Sequence, residues 1–189
     1  MKRMMVPLLL GLVGLLLAPF AGAGCWVSVP ALSHIEFSTT QAGAPFQGTF
    51  RDYAGLVCMD AGGDSHIRVS VNTASVDTQL PELDTALRGP DFFGTRRWPQ
   101  ALFESEAVRP MGQGRYRVTG KLTLRDVTHE VSVPFTFTPA TDGKARLEGR
   151  LRLERLDYHI GLGQWADTRW VGNQVKLTFS IVVKPAAGK

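Results

Sequence analysis

The sequence predicts an all-β fold: an eight-stranded antiparallel barrel with one short helix between strands 3 and 4. Three observations predict it. Strict alternation of apolar and polar residues, the pattern of half-buried strands, runs from Trp26 almost to the end of the chain. Short polar turns such as Arg125-Asp126-Val127-Thr128 and Thr141-Asp142-Gly143 separate most of the alternating segments, as in a meander of hairpins. One apolar face on every strand needs cover that a single helix does not supply, whereas closing the sheet on itself covers that face and removes exposed edges.

Taken in order, residues 1–23 join Lys2 and Arg3 to an apolar run, Met4 to Leu17, and the small residues Ala21-Gly22-Ala23. This is the pattern of a secretory signal peptide cut after Ala23, leaving 24–189 as one domain, and the run is shorter than the ~20 residues of a spanning helix. With 44% hydrophobic and 20% charged residues in 189, the chain has globular composition and room for a core. Loss of the two basic leader residues lowers the formal charge of +4 to +2, so no nucleic-acid partner is expected.

The first strand is expected over Val27–Ser38, with Pro30 disturbing it, and the second over Phe46–Asp60, folding back near Ala42–Ala44. That hairpin sets Cys25 nearly opposite Cys58, each in phase with apolar neighbours (Ile35 and Phe37; Phe50 and Leu56). A cross-strand disulfide on the apolar side is expected in an exported chain. Acylation of Cys25 in a lipoprotein and free thiols are the other two readings; Gly22 stands where lipoprotein processing uses a leucine-like residue.

A third strand spans His66–Val76. Pro81–Arg88 forms the helix, with Leu80, Leu83 and Leu87 on one face, and Gly89-Pro90 stops it. A fourth strand covers Ala101–Val108, and the last four lie in 114–126, 128–139, 144–154 and 173–184. Their inward phase carries Leu122, Phe135, Leu151 and Phe179. Gly48, Gly120 and Gly149 share the inward phase, which fits either space in the lumen or ordinary bends of the barrel wall. A barrel of this size is either filled by side chains or holds one small apolar ligand.

The stretch DFFGTRRWPQ places Phe92, Phe93 and Trp98 between two strands, where they cover an end or side of the barrel as a lid or as a plug. GLGQWADTRWVG brings Trp165 and Trp170 to the same mouth or the opposite one. Arg155 and Asp157 continue the inward phase of Leu151 and Leu153. A charge there needs a partner, so Arg155 is expected to pair with Asp157 or Asp84, or to anchor a ligand's head group.

Asp91-Phe92-Phe93, Trp98-Pro99, Phe103-Glu104-Ser105 and Gly120-Lys121-Leu122-Thr123-Leu124-Arg125-Asp126-Val127-Thr128 together resemble the YceI-like family of exported polyisoprenoid-binding proteins, in order from about Ser33 to Val183. The resemblance implies an extended lipocalin-like barrel holding a long lipid, and no catalysis. Where the family shows Arg-Asp-x-His-Leu, this chain has Leu83-Asp84-Thr85-Ala86-Leu87; where it shows Asn-Arg-x-Asp-Phe-Gly, this chain has Glu154-Arg155-Leu156-Asp157-Tyr158-His159.

The expected function is therefore a periplasmic carrier of an amphiphilic lipid: a polyisoprenoid, quinone or fatty acid derivative. The alternative is a stress-related or structural interaction module with a filled barrel. The tail would lie against Phe50, Val69, Phe103, Leu122, Phe135, Leu151 and Phe179, with Phe37, Leu83 and Leu87 adding to the apolar lining. The head would lie near Phe92, Phe93, Trp98, Arg155, Asp157 and Trp165. A transient membrane contact belongs to this reading. No enzyme, cofactor or metal is expected: His34, His66, His129 and His159 lack ligand spacing, and no G-x-S-x-G elbow, phosphate loop or CxxC occurs. An outer-membrane barrel shares the alternation, but two aromatic girdles and a long and short turn asymmetry are missing.

Overall fold

The computed structural model describes residues 24–60 and 65–187; the expected signal peptide lies outside the described residues. The strands are β1 (Gly24–Ser28), β2 (His34–Gln41), β3 (Ala44–Phe50), β4 (Tyr53–Met59), β5 (His66–Asn72), β6 (Val76–Asp77), β7 (Gln100–Gly112), β8 (Arg115–Leu124), β9 (Val127–Pro139), β10 (Ala145–Glu154) and β11 (Gln174–Pro185). One helix, α1 (Pro81–Arg88), follows β6.

The sheet closes through β1–β4–β5–β7–β8–β9–β10–β11 and back to β1, with Trp26 opposite Pro185 and Ser28 opposite Val183. This is a closed eight-stranded antiparallel barrel with one helix. Eleven segments make eight positions because the first three expected strands are broken. Pro30 starts a 3-10 turn, Pro30–Leu32, between β1 and β2; Arg51 and Asp52 separate β3 from β4; and a second 3-10 turn, Thr73–Ser75, separates β5 from β6. Below the breaks β2 replaces β1 beside β11, and β3 and β6 extend the wall.

Each break in the first hairpin reverses which residues face inward. Ile35 and Phe37 are buried in β2, and Tyr53 and Val57 in β4, while Cys25 is exposed and Cys58 half-buried. The two cysteines are register partners and form a disulfide, with Cα atoms 4.0 Å apart. The pairing follows the expected register; the expected apolar-side placement does not, because three residues of 3-10 turn shift the alternation.

The spaces at the inward glycines are filled. The Phe37 ring occupies the place of a side chain at Gly48, and the Phe179 ring that at Gly149. Gly120 lies against the backbone of Glu104 and Ser105, where β7 bulges toward β8, so a Cβ there has no room.

The two ends of the barrel differ. One carries the disulfide and tight turns, and its interior is closed by Trp26, Tyr116 and Phe137, whose rings meet at centroid distances of 5.4 and 6.4 Å. Both long connections, 73–99 and 155–173, lie at the opposite end. Leu87 and Phe92 from the first pack there with Tyr158 and Ile160 from the second.

Candidate functional site

Two cavities lie in line along the barrel axis. The upper one, of about 160 Å3, is enclosed by β1, β4, β5 and β7–β11. The lower one, of about 150 Å3, reaches the end covered by the long connections. Ile35, Val71, Ala101, Leu122 and Leu177 line both and form the waist between them.

Most of the expected residues line one chamber or the other. Val69, Phe103, Leu122, Phe135, Leu151 and Phe179 line the upper chamber. Phe37, Phe50, Leu87, Phe92, Phe93 and Arg155 line the lower one. Leu83 and Trp165 pack behind that lining rather than in it; the Phe92 and Trp165 rings are 5.6 Å apart. Trp170 is exposed.

Two expected residues lie elsewhere. Trp98 lines neither chamber: its ring sits under the guanidinium groups of Arg125 (4.4 Å) and Arg97 (4.8 Å), and its carbonyl accepts from the Thr73 hydroxyl (2.9 Å). Asp157 is exposed in a 3-10 turn, Arg155–Tyr158, that ends the alternation of β10, and its carbonyl faces His129 Nε2 at 3.1 Å.

The expected ion pair of Arg155 does not form. Arg155 is buried, and its five N–H groups donate to five backbone carbonyls: Nε to Gly172, Nη1 to Ile160 and Gly161, Nη2 to Trp165 and Val171, at 2.7–3.0 Å. Asp84 is turned away; its carboxylate accepts from the amide (2.8 Å) and hydroxyl (2.7 Å) of Thr78. No donor hydrogen of Arg155 is left for a head group. The guanidinium instead gathers the 160–172 segment around itself, and burial pulls its pKa down from the usual arginine value. Gly161, at φ +74°, is required beside it because a Cβ there would meet Nη1.

Arg125, which alternation places on the solvent side, joins the two long connections. Its Nη1 donates to the carbonyls of Phe92 and His159, both at 2.6 Å, while its face covers Trp98. The Asp91 carbonyl accepts from the amides of Gly161 (2.7 Å) and Leu162 (3.3 Å), stitching the same two segments. Tyr53, Tyr158 and Ile160 complete the buried lining that alternation misses. Burial and the Asp157 carboxylate push the Tyr158 phenol up to about 12.

The outer wall is charged: Arg109, Arg117, Arg150 and Arg152 are exposed on β7, β8 and β10. An apolar inside with a charged outside is the reverse of an outer-membrane barrel. All four histidines are exposed, and among the described residues no three His, Cys, Asp or Glu side chains converge on a metal position. No described helix is long and apolar enough to cross a membrane.

The sequence profile of the YceI-like domain matches residues 26–183. This chain belongs to the YceI-like family. The UPF0312 protein of Azotobacter vinelandii is 34% identical over 136 residues, 68% of each chain, and Protein YceI of Escherichia coli O157:H7 is 34% identical over 125 residues, 61% of this chain and 65% of that one. The crystal structure of Burkholderia cenocepacia BcnA, 29% identical, superposes with a TM-score of 0.78 over 82% of this chain and 98% of its own. A polyisoprenoid binding domain from Saccharophagus degradans, implicated in plant cell wall breakdown, shares the fold: TM-score 0.69, 13% identity, 87% and 100% coverage. The segments that carry the YceI-like resemblance hold the barrel together at its covered end and, through Ser105, nearer the disulfide end. Asp91, Phe92, Trp98 and Arg125 stitch the two long connections, while Ser105 Oγ accepts from the Ile67 amide (2.8 Å) across β5 and β7.

Proposed function

We propose that this YceI-like barrel is a periplasmic binding and carrier protein that holds the chain of one amphiphilic lipid in its lumen. The two-chambered apolar lumen carries this reading. A polyisoprenoid, a quinone or a fatty acid derivative supplies such a chain, and the polyisoprenoid-binding neighbour of the same fold supports the first of these. Export through cleavage after Ala23 fits the disulfide, which persists in an oxidising compartment. Residues 24–189 then form the mature chain.

The chambers set a scale for the guest. Each matches the ~150 Å3 apolar cavity that takes up one benzene molecule, so about ten to twelve carbons fit with the side chains as they stand. A longer chain needs Leu122 at the waist, or Phe103 or Phe179 above it, to turn aside. Each methylene buried contributes about 0.8 kcal/mol, roughly a fourfold gain in affinity, so tail length dominates binding.

The test is native mass spectrometry of detergent-free protein from its own periplasm, followed by organic extraction. A stoichiometric lipid on a chain starting at Gly24, lost from Leu122→Trp and Phe135→Trp, is the expected result. A ligand-free mass that also fails to take up added polyprenyl, quinone or fatty acyl compounds would overturn the reading and turn attention to partner capture.

A further inference from the structure

The outer wall of the barrel carries its charges in two different patterns. Across β5, β7, β8 and β9 the signs alternate: Arg68 is opposite Glu104, Glu104 opposite Lys121, and Lys121 opposite Glu130. Arg68 pairs with Glu104 at 3.4 Å, and Lys121 with Glu106 at 3.0 Å. A second band, over β7, β8, β10 and β11, is positive throughout. Arg109 is the register partner of Arg117, and Arg152 that of Lys176, with Arg150 on the same face of β10 as Arg152. All five are exposed, and none forms an ion pair among the described residues. Glu148 and Glu154 flank the two arginines along β10, and neither reaches an ion pair with them; Glu148 accepts from the Ser180 hydroxyl instead (3.2 Å).

The wall is interrupted inside that band. The β8–β9 ladder runs from Leu124–Val127 to Arg115–Thr136, and the β10–β11 ladder from Glu154–Gln174 to Ala145–Val183, but β9 and β10 pair only from Ala145–Pro139 to Gly149–Phe135. Pro134 gives the reason. The Phe137 amide donates to the Gly114 carbonyl (2.8 Å) on the β8 side, so odd-numbered residues of β9 bond toward β8 and even-numbered ones turn to β10. Pro134 is even-numbered and has no N–H to offer, so the ladder stops before Arg150. Arg117 stands opposite Pro134, and Arg150 and Arg152 stand on the β10 side of the break. Val133 and Leu151, directly behind it, line the upper chamber.

Like charges directly opposite each other on neighbouring strands destabilise a sheet. Two such pairs in one band, on a wall that elsewhere alternates its signs, make a face complementary to an extended anion. At ~4.8 Å between strands the five cations spread over roughly 20 Å, wider than one small anion. Met111, 53% exposed near the end of β7 and two residues on from Arg109, adds an apolar side chain at the edge of the band, a combination suited to lipid head groups. Resting on the carrier reading for its choice of partner, we propose that Arg109, Arg117, Arg150, Arg152 and Lys176 dock the barrel on an anionic lipid surface. Docking on this face sets the interrupted β9–β10 wall, with the upper chamber behind it, against the head groups.

The test is sedimentation of the mature protein with vesicles of phosphatidylcholine alone and of phosphatidylcholine containing roughly one quarter phosphatidylglycerol. Binding is expected only to the anionic vesicles. Raising the salt from about 0.1 M to about 1 M shortens the screening length from ~10 to ~3 Å and should abolish it. Arg117→Gln and Arg150→Gln each weaken binding about fivefold, the effect of one cation near such a surface, and together about twentyfold, whereas Lys121→Gln on the alternating wall changes it less than about twofold. These side chains are exposed, so the substitutions leave the fold intact.

No binding to the anionic vesicles, or binding that Arg117→Gln and Arg150→Gln leave unchanged, overturns the docking face. Equal weakening by Lys121→Gln assigns the attraction to overall charge, and binding to heparin without binding to vesicles assigns the band to a polyanionic chain; both also overturn it. The mass spectrometry above reads lumen occupancy separately. A protein that carries a lipid yet ignores the vesicles refutes the docking face alone, and one that docks but takes up no chain refutes the carrier reading alone.

Discussion

Arg155 offers the most direct test of how the covered end is built. Arg155→Met keeps a long apolar stem but removes all five donors. The hydrogen bonds to Ile160 and Gly161 are fully buried, so their carbonyls lose their partner with no access to water. At about 1–3 kcal/mol for each stranded buried group, these two account for about 2–6 kcal/mol. The carbonyls of Gly172, Trp165 and Val171 are partly reachable by water and add less. Release of the guanidinium from its desolvated site offsets part of the loss, leaving a net destabilisation of about 2–5 kcal/mol. Urea denaturation measures the loss, and amide hydrogen exchange locates it. Gly161, Leu162 and Trp165, whose amides are hydrogen-bonded within the covered end, should lose protection before β8–β10. Arg155→Lys, with three donors and no planar fork, should recover less than half the loss. A change under 1 kcal/mol for Arg155→Met, with exchange at 160–172 unaltered, would refute the view that these carbonyls depend on the guanidinium.

Three further outcomes are expected. Replacing both Cys25 and Cys58 by serine should cost about 3–4 kcal/mol, since the bridge closes a loop over a sequence separation of 33, and reductant should lower the melting point of the parent but not of the double variant. Tyr158 ionises near the ordinary tyrosine value of 10 in the unfolded chain and only at about 12 in the barrel. Its contribution is therefore complete below pH 10 and lost between pH 10 and 12, a fall of up to about 3 kcal/mol in stability that Tyr158→Phe should abolish in urea titrations over that window. Arg125→Met removes both carbonyl bonds and the cover over Trp98. If guests pass through that end, stopped-flow uptake of a fluorescent fatty acid should accelerate about tenfold with little change in equilibrium affinity; an unaltered rate would direct attention to the other end.

Much of the barrel is legible because alternation depends only on which face is buried. β8 to β11 follow it without a break, and Leu122, Phe135, Leu151 and Phe179 reach the lumen as the phase requires. The short helix is legible from Pro81 and the Gly89-Pro90 stop. The first hairpin is legible only in its pairing. Its two interruptions shift the phase, so the cysteines turn outward and Tyr53 turns inward, and nothing local except Pro30 marks either shift. Leu80 shows the same limit on a smaller scale: helical spacing puts it with Leu83 and Leu87, yet it precedes the first turn of α1 and is 58% exposed.

Charged residues are read less well, for a physical reason. Apolar phase asks whether a side chain is buried, whereas a buried charge needs specific partners, and those partners are often backbone carbonyls that carry no sequence signature. Arg155 continues the inward phase of Leu151 and Leu153, and its burial follows from that. Its partners lie 5 to 17 residues away along the chain, in a connection with no regular period, and every one is main-chain. The carboxylates expected as its partners lie elsewhere: Asp84 accepts from Thr78 in the turn before α1, and Asp157 faces solvent. Arg125 is the converse case: outward by alternation, it bends over the rim because the β8–β9 turn places it at φ +56°, within reach of both connections. The covered end thus depends on two arginines binding carbonyls from opposite sides. Neither lines the chamber above the waist, so their effects on the covered end should be separable from effects on the upper chamber.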